Sequence, residues 1–159
     1  MVVVAIIGLI VSLGMPSLLK MMQKEGMRKA LSDVQDVCFS ARQQAIISRH
    51  KTAVLFQPQK GSFSVDGGSG LNPDGGGNAP MKQSLRNGKV TSATLPAGIT
   101  FAMLDIFRQD YAESDWARVF FYPDGTSDET VIVVVGGGDS RKITLDYATG
   151  VPVVSAVDG

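Results

Sequence analysis

One cysteine, Cys38, occurs among the 159 residues, so no disulfide can close within the chain and a small folded body must be held by packing. One histidine, His50, is present. It follows an amphipathic helix, where a cation faces the helix C-terminus or lies in water, and no nucleophile and base are paired around it. Charge of either sign is not in excess, with 15 basic against 15 acidic residues. That balance removes any bulk electrostatic case for a nucleic acid or an anionic surface. The eighteen glycines show no Gly-X-Y period, which excludes a collagen-like rod and leaves turns and loops.

The most telling absence is local. Met1 to Leu19, MVVVAIIGLIVSLGMPSLL, carries no ionisable side chain, and as a helix it would reach about 28 Å, close to the hydrocarbon thickness of a bilayer. Val2, Val3, Val4, Ile6, Ile7, Leu9, Ile10, Val11 and Leu13 surround the whole circumference, so a soluble helix with one apolar stripe does not fit. Gly8, Ser12 and Gly14 let neighbouring backbones approach. Pro16 removes a helical donor and marks a place where the helix can bend or melt. The first charges, Lys20, Lys24, Arg28 and Lys29, all follow the apolar run, and a bare positive-inside count would place the body in the cytoplasm.

Met1 to Leu18 resembles the N-terminal helix of type IV pilins and type II secretion pseudopilins, with Pro16 at the position of that family's kinking proline. The resemblance implies a basic leader cut by a prepilin peptidase, methylation of the new N-terminus, and a mature end of the Phe-Thr-Leu-Ile-Glu type before the residues seen here. The leader, cleavage site and glutamate are not in this sequence, so the expectation is an N-terminally truncated chain or a misplaced start. A leader would also hold the N-terminus in the cytoplasm and put the body on the far side.

After Lys20 the pattern becomes amphipathic. Met27, Ala30, Leu31, Val34, Val37, Cys38, Ala41, Ala45 and Ile46 follow helical spacing, and Arg28, Lys29, Ser32, Asp33, Gln35, Asp36, Arg42 and Gln43 populate the wet side. Gly26 is either a flexible point between membrane and body or a plain helical glycine costing about 1 kcal/mol against alanine. Cys38 lies on the apolar stripe, where a buried and unreactive thiol is expected. Thr52 to Gln57 and Gly61 to Val65 read as a hairpin across Pro58-Gln59-Lys60. Asp66 to Pro80 is a Gly-rich loop without the ordered Lys and Ser or Thr of a phosphate cradle.

Val90 to Met103 offers a strand, a Pro96-Ala97-Gly98 turn and a second strand from Ile99. Asp105 to Asp115 reads as an irregular loop or a short helical turn. Trp116 to Tyr122 is a strand ended by Pro123-Asp124-Gly125-Thr126. Thr130 to Val135 returns as an apolar strand expected to be covered on both faces, and Arg141 to Tyr147 and Val151 to Val154 complete an expected antiparallel meander. Leu95 to Phe101, Phe121 to Thr126 and Ile143 to Gly150 are similar to the β-rich body of the GspH/FimT group of minor pilins and pseudopilins.

Two acidic groups invite a cation. Asp124, Asp128 and Glu129 offer hard oxygens at short spacing, but depart from the EF-hand order and read as a solvated turn; Asp105, Asp110, Glu113 and Asp115 read as a wet rim. For nucleic acid, the C-terminal VPVVSAVDG has no Lys or Arg. Arg141 with Lys142, or Lys82 with Arg86 and Lys89, are the remaining basic candidates, set against scattered solvated charge.

The expected protein is therefore α+β, with a long N-terminal helix packed on an antiparallel β body. Residues 1–19 form its membrane and filament-core half, 20–50 its amphipathic half, and 51–159 the body with the Gly-rich loop 66–80. Val3, Ile6, Ile7, Ile10, Leu13 and Pro16 are the expected membrane and assembly residues. No catalytic, cofactor or metal site is expected. The expected partners are other pilin or pseudopilin subunits, the inner membrane before assembly, and the peptidase acting on the precursor. The expected location is the bacterial inner membrane, single-pass with the body in the periplasm or outside, and a filament thereafter. The competing expectation is a DNA-binding minor pilin for natural transformation.

Overall fold

The computed structural model describes the backbone of residues 2–66, 84–86 and 89–157, and the side chains of 24–66 and 90–157. In chain order these form α1 (Val2–Ser48), β1 (Thr52–Gln57), a 3-10 turn (Pro58–Lys60), β2 (Ser62–Asp66), β3 (Ser84–Arg86) and β4 (Lys89–Thr94). There follow β5 (Ile99–Ile106), β6 (Gln109–Asp110), β7 (Ala117–Phe121), β8 (Thr130–Gly136), β9 (Asp139–Leu145) and β10 (Pro152–Ala156). The α+β architecture expected from the sequence is what the chain adopts.

Two five-stranded sheets result, one ordered β3-β4-β2-β1-β7 and the other β10-β9-β8-β5-β6. Every pairing is antiparallel. The β1–β2 hairpin forms as expected, with Phe56 opposite Phe63 and Gly61 in the left-handed region at φ 61° closing the 3-10 turn. Phe56 and Phe63 stack at 5.8 Å, and Phe101 of β5 meets both edge-on at 6.0 and 6.1 Å. Those three rings join the two sheets through the preferred aromatic geometries. A single buried cluster runs from α1 through both sheets.

α1 is assigned without a break through Pro16 and Gly26. Its second half packs mainly on β4, β1 and β2, with Met27, Ala30, Val34, Val37, Cys38, Ala41 and Ala45 all buried. The recurring alanines keep the helix close to the sheet. At Gly26 a Cβ would stand 3.3 Å from Cδ1 of Ile99 and 3.8 Å from Cβ of Pro96, so the absent side chain lets the helix approach the β4–β5 turn.

Several expectations are corrected. The C-terminal half is not one meander: β8, β9 and β10 are consecutive neighbours, but β7 pairs with β1 in the other sheet, Thr52 opposite Phe121. Asp105 to Asp115 is neither a loop nor a helical turn at its start, because β5 runs on to Ile106 and turns through Phe107 and Arg108 into β6. β8 is buried on one face only: Thr130, Ile132 and Val134 face the core, and Val131, Val133 and Val135 are half-exposed. In α1, Asp33 is buried in place of the exposed Ile46. The Gly-rich loop expected at 66–80 lies, beyond Asp66, outside the described residues.

Candidate assembly surface

The helix–body seam is the feature that positions everything else. Two turns from the second half of the chain converge on one helical residue, Arg42. Its Nε donates to the Gly125 carbonyl at 3.2 Å, and Gly150 fits beside it so tightly that a Cβ there would come within 2.7 Å of the Gly125 oxygen and 3.2 Å of Arg42 Cδ. Gly125 and Gly150 both have positive φ, 89° and 63°, so glycine serves the turn and the close approach together. Seven residues earlier on the same helix face, Gln35 Nε2 reaches the Pro152 carbonyl at 3.5 Å.

The turn before β8 is held from within. Asp124 Oδ1 accepts from Thr126 N at 3.1 Å and Thr126 Oγ1 at 2.7 Å, and those bonds hold its carboxyl below the usual carboxylate range. Asp128 is only 4% exposed. Its Oδ2 accepts from Phe120 N and its Oδ1 from the Tyr122 hydroxyl, both at 3.0 Å. Asp128 is therefore not part of a solvated turn but a clasp that binds the start of β8 to the end of β7.

The same seam leaves apolar side chains in water. Phe39 lies between Gln35 and Arg42 on the helix and is 48% exposed; Ile47 near its end is 75% exposed. In the turn after β9 Tyr147 is 67% exposed and on β10 Val153 is 56% exposed, with Val151 and Val157 also open. β10 is an edge strand, so one row of its backbone N–H and C=O groups is left unpaired within the sheet.

The expected assembly residues Val3, Ile6, Ile7, Ile10, Leu13 and Pro16 belong to α1 by backbone, but their side chains lie outside the described ones. Among the described residues no helix is long and apolar enough to cross a membrane. The membrane half expected at Met1 to Leu19 falls outside that comparison. Lys82, Arg86 and Lys89 likewise have side chains outside the described set. Arg141 is brought to Asp139, Nη2 to Oδ2 at 3.1 Å, which ties up one cation of the expected basic pair.

The remaining titratable candidates are structural. His50 is exposed, with Nδ1 2.7 Å from the Ser48 carbonyl at the end of α1. Burial pushes the Asp33 carboxyl up, and Lys29, its Nζ 3.7 Å from Oδ2, pulls it back. Asp110 Oδ1 accepts from Leu104 N and Ala112 N at 3.2 and 2.9 Å, fixing the β6 turn. Among the described residues no group of three or more His, Cys, Asp or Glu side chains is placed to hold a metal ion. Cys38 is fully buried and its thiol is pushed up to about 12. Ellman's reagent at about pH 8 is therefore expected to leave native Cys38 unmodified and to react only as the chain unfolds. Stoichiometric reaction of the folded protein would show the stripe to be open.

Sequence reasoning missed Arg42 and Asp128. Arg42 has the ordinary spacing of a wet helix face, and only the convergence of two distant turns gives it a role.

No family profile matches the chain, and no curated protein matches its sequence. The fold does match solved structures. The type IV minor pilin FimU of Pseudomonas aeruginosa, in two crystal forms, is similar at TM-scores of 0.50 and 0.51 with 14% and 13% identity. The matches cover 80% and 85% of this chain and 91% and 90% of FimU. The minor pseudopilin EpsH from the type 2 secretion system of Vibrio cholerae is similar at 0.53 with 14% identity, over 81% of this chain and 95% of EpsH. A long N-terminal helix on two antiparallel sheets is thus the pilin-like fold of these minor subunits.

Proposed function

We propose that this pilin-like chain is a minor pseudopilin or minor pilin, a structural subunit of a type II secretion or type IV pilus apparatus that works by assembly and not by turnover. The observation that carries the proposal is the division of α1. Its second half is spent on the body, with a buried stripe from Met27 to Ala45. The sequence before Lys20 is apolar on every side and has to be covered by lipid or by other helices. Val3, Ile6, Ile7, Ile10 and Leu13 hold the subunit in the inner membrane, with the body on the periplasmic side, and then pack among helices of neighbouring subunits. Exchange of one apolar surrounding for another keeps that transfer feasible. Pro16 eases bending during extraction.

The test is a charge in the middle of the apolar run. Ile10→Lys is expected to cost about 3 kcal/mol of insertion free energy, so the variant should leave the membrane fraction and be missing from sheared filaments, while Ile10→Leu behaves as the parent. Retention and incorporation of Ile10→Lys at parental levels would refute the role given to this segment.

A further inference from the structure

One cleft of the body is built from residues that belong neither to α1 nor to the seam. It opens between the β6–β7 link and the outer face of β7, with a volume of about 740 Å³, and its walls include Tyr111, Glu113, Asp115, Trp116, Arg118 and Phe120. Strand alternation creates it: Ala117, Val119 and Phe121 are buried in the core, so Arg118 and Phe120 project the other way. The Arg118 guanidinium carbon lies 5.1 Å from the centroid of the Trp116 ring, and Lys51 Nζ lies 5.1 Å from that of Phe120.

Arg118 has unusual needs. Its Nε is buried and has no hydrogen-bond partner, and its guanidinium takes part in neither of the ion pairs among the described residues. A guanidinium laid on an indole keeps its planar fork in one orientation, the geometry that a carboxylate accepts from. The exposed Glu113 and Asp115 are in neither ion pair either, nor is Lys51 over Phe120, so the cleft presents two cations and two anions that no ion pair neutralises.

We propose that this cleft binds a peptide in which an acidic side chain stands next to a basic one. The carboxylate accepts from the terminal nitrogens of the Arg118 guanidinium, and the basic side chain faces Glu113 and Asp115. Tyr111, Trp116 and Phe120 supply the apolar walls that exclude water from both contacts. A purely anionic ligand, a nucleic acid among them, satisfies Arg118 but meets the two carboxylates.

Trp116 is the only tryptophan of the chain, so its emission reports on the cleft. The full chain in non-ionic detergent is titrated with a blocked octapeptide of alternating Glu and Lys, and in parallel with octalysine and with an oligothymidylate. A saturable change in emission is expected with the alternating peptide, tighter than with either comparison ligand. Arg118→Gln should weaken half-saturation about tenfold, the ratio a charge-assisted hydrogen bond supplies. The double variant Glu113→Gln, Asp115→Asn should weaken it too, with the circular dichroism of the parent, and it decides the matter if Arg118→Gln does not fold. No saturable change, equal or tighter binding of either comparison ligand, or variants that titrate as the parent would overturn the proposal.

Discussion

Gly136→Ala is expected to destabilise the chain by about 3 kcal/mol, at the upper end of what overpacking costs. Gly136 ends β8 directly opposite Ile99, where β5 begins. A Cβ there would lie 2.6 Å from the Gly98 carbonyl oxygen, 2.8 Å from Ile99 Cγ1 and 3.0 Å from Ile99 Cα. Two of those atoms are backbone, and Ile99 is buried against the core, so the strands must part to make room. Gly138, two residues on, is the control. Its φ is 78° with nothing within 4 Å of a built Cβ, so Gly138→Ala meets only the left-handed penalty of about 1 kcal/mol. Urea midpoints of the three proteins separate crowding from conformation. Equal losses at both positions would show that the β5–β8 junction is looser than its geometry states.

Crowding of this kind leaves no trace in the sequence, whereas periodicity does. The stripe from Met27 to Ala45 was legible because a helix buries every third or fourth residue, and seven of the nine apolar positions read from it are buried. The two exceptions, Leu31 and Ile46, sit at the edges of the stripe. The β1–β2 hairpin was legible for a similar reason, since two short β-rich runs flank a proline-led turn. The β5–β6 hairpin was not. Its turn residues, Phe107 and Arg108, adopt φ of 53° and 65° without the Asn or Gly that normally signals such a turn. Tertiary contacts hold two ordinary side chains in the left-handed region, and Phe107 N donates to the Glu129 carbonyl at 3.1 Å as part of that support.

The place of β7 was hidden by distance. Pro123-Asp124-Gly125 follows a strand and precedes another, which reads as a hairpin, yet β7 pairs with β1 some sixty residues away. Pairing between remote strands is carried by backbone bonds and by which face is apolar, neither of which is local. The turn therefore passes the chain from one sheet to the other, bridged by Phe121 opposite Ser127 and by the bonds of Asp128 to Phe120 and Tyr122. For the candidate site the same division holds. The apolar opening of α1 could be read from composition alone, but Arg42, Asp128 and Arg118 acquire their roles from neighbours that the fold brings in from elsewhere.

That sheet-to-sheet passage depends on Asp128, and Asp128→Ala is expected to cost about 3 kcal/mol by removing a buried carboxylate that accepts from two donors. The Phe120 amide and the Tyr122 hydroxyl both lose their acceptor. Tyr122→Phe should cost about 1 kcal/mol, because it removes one donor and leaves the carboxylate bonded to the amide. Asp128→Asn lies between the two, since its amide oxygen can serve one donor and its NH2 then faces the other. A double-mutant cycle with Asp128→Ala and Tyr122→Phe isolates the side-chain bond from the backbone one. Burial first, and then the bond to Asp128, pushes the Tyr122 phenol above its ordinary value of 10.0. A phenol raised in the folded state adds stability below its unfolded pKa, and that increment is lost as the pH rises through the folded value. The parent should therefore weaken on the alkaline side, and Tyr122 in Asp128→Ala should titrate closer to an ordinary phenol in a pH series read by ultraviolet difference absorption. Because both carboxylate oxygens already accept protein donors, millimolar calcium should leave the parent's urea midpoint unmoved. If Asp128→Ala unfolds within about half a kcal/mol of the parent, the joint between the sheets is held by packing and the clasp is incidental.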